Sequence, residues 1–381
     1  MLAPRDTALT TEWRPLVSLA GVAAEWRALG ERAAEPNVFY TPELALAAAA
    51  ALAPDAGAVL VRAVEPRRLI GLFPCRLETR RYGLRLPLLA GFTHPYGPLG
   101  TPLVDRDAVD AAVGAFVDHV ADDGALPKLL LMPYLVEDGP VAAALASAVA
   151  QRDGRAARFG RHVRALLAPG EARDGYLAAT LGRKKRKELG RQRRRLAEAG
   201  EIAFTLACEP SAVADGLADF FSLEAHGWKG RAGSAAAQSA AIRQFMETAV
   251  TGLAANRQAR VARLVHADRA VAAGIVLTSG RGAWFWKIAH AEDAARASPG
   301  VQLTLDLTAA LLGDPAIAWC DSCATADHAM IDSIWRERRP MADALFGLAP
   351  GRDFALACRL ERLRRGAILL GRGARRLIGS P

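Results

Sequence analysis

Two short stretches gather the side chains able to move protons. Cys320-Asp321-Ser322-Cys323 is followed by His328, and His290 stands two residues before Glu292. A carboxylate or imidazole can take a proton from an attacking amine or hydroxyl, and a hydroxyl or thiol can return one to a departing group. Asp321 and His290 are therefore candidate bases, and Ser322 and Cys323 candidate proton donors. His328 is a candidate for orienting Asp321 or for meeting substrate. Each residue also suits a hydrogen-bonding turn or a helix cap. Cys320, Cys323 and His328 resemble the start of a zinc set, but one Cys-x-x-Cys pair has no second pair to complete it, so no metal is expected.

The elements that must position these groups are legible around them. Trp284-Phe-Trp-Lys-Ile-Ala-His290 is aromatic and β-branched and follows a glycine, which predicts a strand. Val301, Leu305 and Leu312 share one face with Leu311 alongside, which predicts a helix starting near Gly300. Ser298 is a natural N-cap, Pro299 suits the first turn, and Gly300 lets a ligand approach the backbone. Such a turn points backbone N–H groups and the positive end of the helix dipole at an anion, typically a phosphate. An ordinary capped helix has the same sequence. Lys287 within the aromatic strand either meets a phosphate or carboxylate or snorkels from a sheet edge.

The chain has 381 residues and a formal net charge of +9. Its length accommodates two domains, and a hydrophobic fraction of 51% excludes a disordered chain. Five cysteines make no disulfide framework, which points to a reducing compartment. The N-terminus lacks the apolar core of a signal peptide, and the longest apolar runs are too short to cross a bilayer, so a cytoplasmic protein is expected. The positive charge is concentrated. Arg183–Arg195 holds nine basic residues against Glu188, and residues 351–381 hold eight arginines against Asp353 and Glu361. The remaining chain is mildly acidic, which excludes a basic body made for nucleic acid. The first basic run predicts a helix with a thin apolar seam of Leu181, Leu189 and Leu196. It can clasp phosphates of a cofactor, a nucleotide-linked acceptor or tRNA, or be a solvated face. No aromatic residues interleave with it to stack on bases. The second run, with Leu360, Leu363, Ile368 and Leu369, can lie on an anionic membrane surface.

Read for helix and strand periods, both halves give one order: strand, two helices, three strands, helix, strand, helix, strand. The first half runs from a strand at Glu12–Ser18 to one at Ala157–Leu167. The second runs from a long polar helix at Gly175–Ala199 through strands at Arg260–His266, Ala270–Thr278 and Ala283–His290. It continues with a strand at Ala316–Trp319, a helix near His328–Arg336 and a short final strand. This pattern implies an α/β protein with a mixed sheet covered by helices.

That order resembles the GNAT acyltransferase fold, and the junction from Trp284 to Leu312 falls where GNAT proteins bind the donor pyrophosphate. The resemblance sharpens to the tandem-GNAT group described as CelD/BcsL-like or BioF2-like acetyltransferases, akin to the Fem peptidoglycan aminoacyltransferases. It rests on Arg183-Lys-Lys-Arg-Lys-Glu-Leu with Arg191–Leu196, on Phe220–Gly230, on Lys287-Ile-Ala-His with Ser298-Pro-Gly300, and on Asp321–Ile331. It implies two tandem GNAT-like units, the first (1–168) degenerate and the second (169–350) the acyltransferase, followed by a basic C-terminal tail (351–381). It also implies acetyl-CoA or another acyl-CoA as donor, held by Lys287, Ser298, Gly300, Val301, Arg183 and Lys184. Val301 departs from the family's usual loop, which ends in Gly or Ala. The acceptor is expected to be a small molecule or glycan precursor offering an amine or hydroxyl. It would meet Trp228 and Glu224 on one helix and His94 and Tyr96 on the first-half loop. The Fem likeness keeps an aminoacyl-tRNA donor open as the alternative, and a non-catalytic scaffold binding an anionic polymer stands beside both.

Overall fold

The protein, in a computed structural model, is described over residues 8–170, 172–227 and 239–378, with side chains of the last helix described through Ile368. Trp228 lies outside the described residues. Contacts divide the chain into two units: Met1–Pro42, Ala53–His162 and Pro340–Pro381 form one, and Glu43–Leu52 and Val163–Arg339 the other. This differs from a division at 168 and 350. Each half ends in a strand that completes the other unit's sheet, so a linear cut separates paired strands.

The first unit orders its strands β1 (Leu9–Pro15), β2 (Gly57–Ala63), β3 (Arg68–Glu78), β4 (Leu88–Gly91), β6 (Leu129–Val136) and β13 (Glu337–Gly347), with β5 (Leu103–Val104) beside β3. Only β4 and β6 are parallel, joined through the helix α3 (Val109–Asp122). That helix forms because Ala112, Val113, Phe116, Val117 and Val120 recur on one face, all fully buried. Phe116 stacks on Phe73 of β3 at 4.0 Å between ring centroids. Burying each such ring contributes about 1.5–3 kcal/mol. The helices α1 (Ala23–Arg32) and α4 (Pro140–Gln151) belong to the same unit. The expected tail is a helix of this unit, α10 (Asp353–Ile378), anchored through the buried Ala357, Cys358 and Glu361.

The second unit orders its strands β8 (Ile202–Ala207), β9 (Ala259–His266), β10 (Arg269–Ser279), β11 (Gly282–His290), β12 (Trp319–Asp321) and, from Val163 onward, the end of β7 (Arg155–Leu167). From β8 to β11 the pairing is antiparallel, β12 runs parallel to β11, and Leu166 and Leu167 of β7 close the edge against β12. Helices α7 (Pro210–His226) and α9 (Pro299–Gly313) cover opposite faces. Gly216 of α7 sits against Val261, whereas Leu303 of α9 fills the space beside Gly274. A Cβ would come within 2.7 Å of Val261 Cγ1 at Gly216 and within 2.7 Å of Phe285 Cε2 at Gly274.

Three local expectations are corrected. The long polar helix is broken into α5 (Tyr176–Thr180) and α6 (Arg183–Glu198) by Leu181, which is extended at φ −89° and ψ 122°. Burial of Leu181 in the unit's core fixes that kink. The strand expected at Ala316–Trp319 lies at Trp319–Asp321, because Asp314 holds a turn by accepting from the N–H groups of Ala316 and Ile317. No α-helix starts near His328. Asp327 is left-handed at φ 58°, and only a 3-10 turn, Ile331–Ser333, follows.

Candidate active site

The site begins where two parallel strands part. β11 pairs with β12 only through Gly282–Trp319, Ala283–Cys320 and Trp284–Asp321, and then runs on to His290 without that neighbour. At the parting, β11 carries a bulge. Ile275 opposes Lys287 and Val276 opposes Phe285, so Trp286 is an extra residue. A bulge bends its strand and resets which face later side chains use. Because of it, Phe285, Ile288 and His290 oppose Val276, Gly274 and Ala272 on the α9 face. Without it, Ile288 and His290 would project to the α7 side.

The turn facing this strand is less open to anions than its sequence suggests. Ser298 is left-handed (φ 51°, ψ 53°) and makes no side-chain cap, correcting its expected role. That conformation costs a non-glycine residue about 1–2 kcal/mol. In exchange the Ser298 carbonyl accepts from both Val301 and Gln302, each at 3.0 Å. Pro299 has no N–H, so Gly300 is left, among the described residues, as the donor in this turn without a backbone acceptor. One N–H plus the helix dipole is a thin cradle for a diphosphate. A Cβ on Gly300 would lie 3.4 Å from Nδ1 of His290 and 3.6 Å from Cδ1 of Ile288, in ordinary contact.

Two adjoining cavities occupy the parted strands and the turn. The larger, about 450 Å³, is lined by Glu224 and Gly227 at the end of α7, by Ile288, His290 and Glu292, and by Ser298–Val301. The smaller, about 170 Å³, lies between Phe285–Ile288 of β11 and Ser322–Ala324 after β12. Ile288, His328 and Met330 line both, so His328 stands on the wall they share. Titratable groups described in the larger lining are Glu224, His290, Glu292 and His328, with no lysine or arginine. The smaller has Lys287, Cys323 and His328.

Asp321 borders neither cavity. It is fully buried, its Oδ2 lies 3.2 Å from Nη1 of Arg339 and 3.9 Å from Nη1 of Arg164, and its Oδ1 accepts from the Cys323 N–H at 2.8 Å. Arg339 also packs over the Trp319 ring at 4.3 Å. A carboxylate so engaged holds the Ser322–Cys323 turn in place rather than meeting substrate. Burial pushes the Cys323 thiol well up, Asp321 adds to the rise, and Arg164, Lys287 and Arg339 offset it in part. Ser322, nearly buried, lines the smaller cavity and accepts from the Ala324 N–H at 3.3 Å.

The basic helix α6 packs beside the turn. Gln302 donates to the Leu189 carbonyl at 2.9 Å, and Arg193 pairs with Asp306 at 2.7 Å. Its first residues, Arg183 to Lys187, are all exposed cations, and its first turn holds no acid. Cations at the positive end of a helix dipole are unfavourable, and a bound polyanion relieves them.

The structure thus brings Glu224, Lys287, His290, Ser298, Gly300, Val301, Ser322, Cys323 and His328 around two cavities. His94 and Tyr96 belong to the first unit, in a turn closed by the Gly97 N–H on the His94 carbonyl at 2.8 Å. In that unit β4 leaves β6 after Ala90–Leu131, but the following loop fills the space. Asn37 holds that loop through the Leu99 and Thr101 carbonyls, and Gly100 donates to Tyr134 at 3.1 Å. Sequence reasoning missed Arg164 and Arg339. The available signal was Asp321 itself, since a carboxylate ending an apolar strand requires cationic partners.

Residues 183–328 match the family model of the acetyltransferase (GNAT) domain. The matched stretch lies within the second unit, which is similar to this domain over those residues. Solved structures share the fold over most of the chain. FemX aligns with a TM-score of 0.58 and 9% identity, covering 89% of this chain and 98% of its own. A protein of unknown function from Bacteroides thetaiotaomicron gives 0.57 and 9%, covering 89% and 100%. The C-terminal domain of an Agrobacterium fabrum protein named as a lysylphosphatidylglycerol synthetase gives 0.56 and 14%, covering 89% and 95%. Identities this low establish shared architecture alone. No curated protein sequence matches the chain.

Proposed function

We propose that the second unit transfers an acyl group from an acyl-CoA thioester to an amine. The observation that carries this reading is the parting of β11 from β12 beyond Trp284, which opens onto Gly300 on one side and His328 on the other. The donor's phosphates meet the Gly300 N–H and the exposed cations of Arg183 and Lys184, and the thioester enters the gap. The acceptor enters the larger cavity, whose lining includes Glu224, His290 and Glu292. The acceptor attacks as the neutral amine, its ammonium proton having gone to solvent, and His328, on the wall between the chambers, takes a second proton as the nitrogen bonds to the carbonyl carbon. The carbon–sulfur bond breaks, and His328 returns that proton to the leaving thiolate.

A second reading is favoured by one observation. The turn offers a single N–H, whereas α6 presents five exposed cations in succession. That balance suits a long polyanion, so an aminoacyl ester carried on tRNA is the alternative donor.

Both readings are tested by incubating the full chain with acetyl-CoA and a panel of amines, amino sugars and alcohols while following free thiol. Thiol release that requires an amine supports the proposal. Release with alcohols alone removes the amine assignment, and transfer only from aminoacyl-tRNA removes the CoA donor.

A further inference from the structure

The C-terminal helix has one face committed to the first unit and another that is exposed among the described residues. On the committed face, Ala357, Cys358 and Glu361 are buried. Glu361 accepts from the Tyr82 hydroxyl at 2.5 Å and from Nε of Arg365 at 2.6 Å, and Arg365 continues to Asp343. This network fixes the helix about its own axis, so its other side is held outward.

That outward side is apolar along its centre. Leu356 is 41% exposed and Leu363 71%, Ala367 is exposed, and Leu360 lies half-buried between them. The spacing alternates between four and three residues. A stripe with this period keeps to one face of a helix. Arg352, Arg359, Arg362 and Arg364 are exposed beside it. A leucine so exposed gains nothing in water and is costly to leave there.

Charge decides between occupants. Pairing the stripe with a second copy of itself in a parallel coiled coil sets Arg359 against Arg364, since these residues flank the seam on its two sides, and like charges there repel. A nucleic acid would satisfy the arginines but not Leu363. An anionic lipid surface satisfies both, taking the leucines among the acyl chains and the guanidinium groups at the headgroups. No described helix is long and apolar enough to cross a membrane, so contact of this kind lies along the surface. We propose that α10 is a membrane-surface helix that holds the protein on anionic lipid through Leu356 and Leu363 with their flanking arginines. This is independent of the acyl-transfer reading.

The test is co-sedimentation of the full chain with vesicles of phosphatidylcholine alone or mixed with phosphatidylglycerol. The chain should pellet with the mixed vesicles and not with phosphatidylcholine, and added salt should weaken the association. Leu363→Asp should reduce binding about tenfold or more at an unchanged melting temperature, because the side chain is mostly exposed. Leu356→Asp should act in the same direction. Absence of binding to mixed vesicles, or full binding by Leu363→Asp, overturns the proposal. So does a dimer in sedimentation that Leu363→Asp dissociates, since the stripe would then belong to a second copy.

Discussion

Replacing His328 with glutamine is expected to lower the turnover of acyl transfer by about 10²–10⁴-fold, the usual contribution of a positioned general base. The expectation follows from location. On the proposed reading, an acyl carbon entering between the strands and an amine in the larger cavity meet at the wall between the two cavities. His328 is the titratable residue common to both linings. The loss should fall on kcat with KM little changed, because glutamine preserves bulk and hydrogen bonding but carries no transferable proton. His290→Gln is the control, since His290 borders only the larger cavity, and its effect should be smaller. Steady-state thiol release measures both. A His328→Gln enzyme within about threefold of the parent would remove His328 from the proton path, because a lost general base costs far more.

Asp321→Ala is expected to be the most destabilising single change near the site. Asp321 is 0% exposed beside Arg164 at 3% and Arg339 at 11%, and removing it leaves two enclosed guanidinium groups without their carboxylate. Breaking a buried ion pair from one side costs about 3–5 kcal/mol, a fall in melting temperature on the order of 10 °C for a unit of this size. Asp321→Asn keeps an acceptor for the Cys323 N–H and should fall between the two. Calorimetric melting of the three proteins decides the matter. An unchanged melting temperature in Asp321→Ala would show that the arginines are satisfied without it.

Much of this architecture is written in local pattern, and what is not has a physical reason. The bounds of α2 (Pro42–Leu52), α4 and β8 follow directly from proline starts and apolar periodicity. The strand–turn–helix around Gly300 is equally readable, because Gly, Pro and aromatic residues have strong local preferences. The bulge at Trp286 leaves no such trace, as it is set by pairing with β10 across the sheet. Ser298 looks like a side-chain cap yet caps with its backbone, a choice made by tertiary closure of the 295–297 turn against α6. Asp321 is visible as a chemically capable residue, but its diversion to Arg164 and Arg339 depends on strands distant in sequence. The exchange of closing strands between units is likewise a matter of topology, which periodicity does not encode.

The account rests on the parted strands and the Gly300 turn forming a donor site, and titration calorimetry of acetyl-CoA into the full chain addresses it most directly. The parent should bind one equivalent. Gly300→Ala, whose methyl only touches His290 and Ile288, should bind more weakly, and Gly300→Glu, which puts a carboxylate where the phosphates go, should give no heat of binding while melting normally. If the parent fails to bind acetyl-CoA, or if Gly300→Glu binds it as the parent does, the donor site is not at this turn.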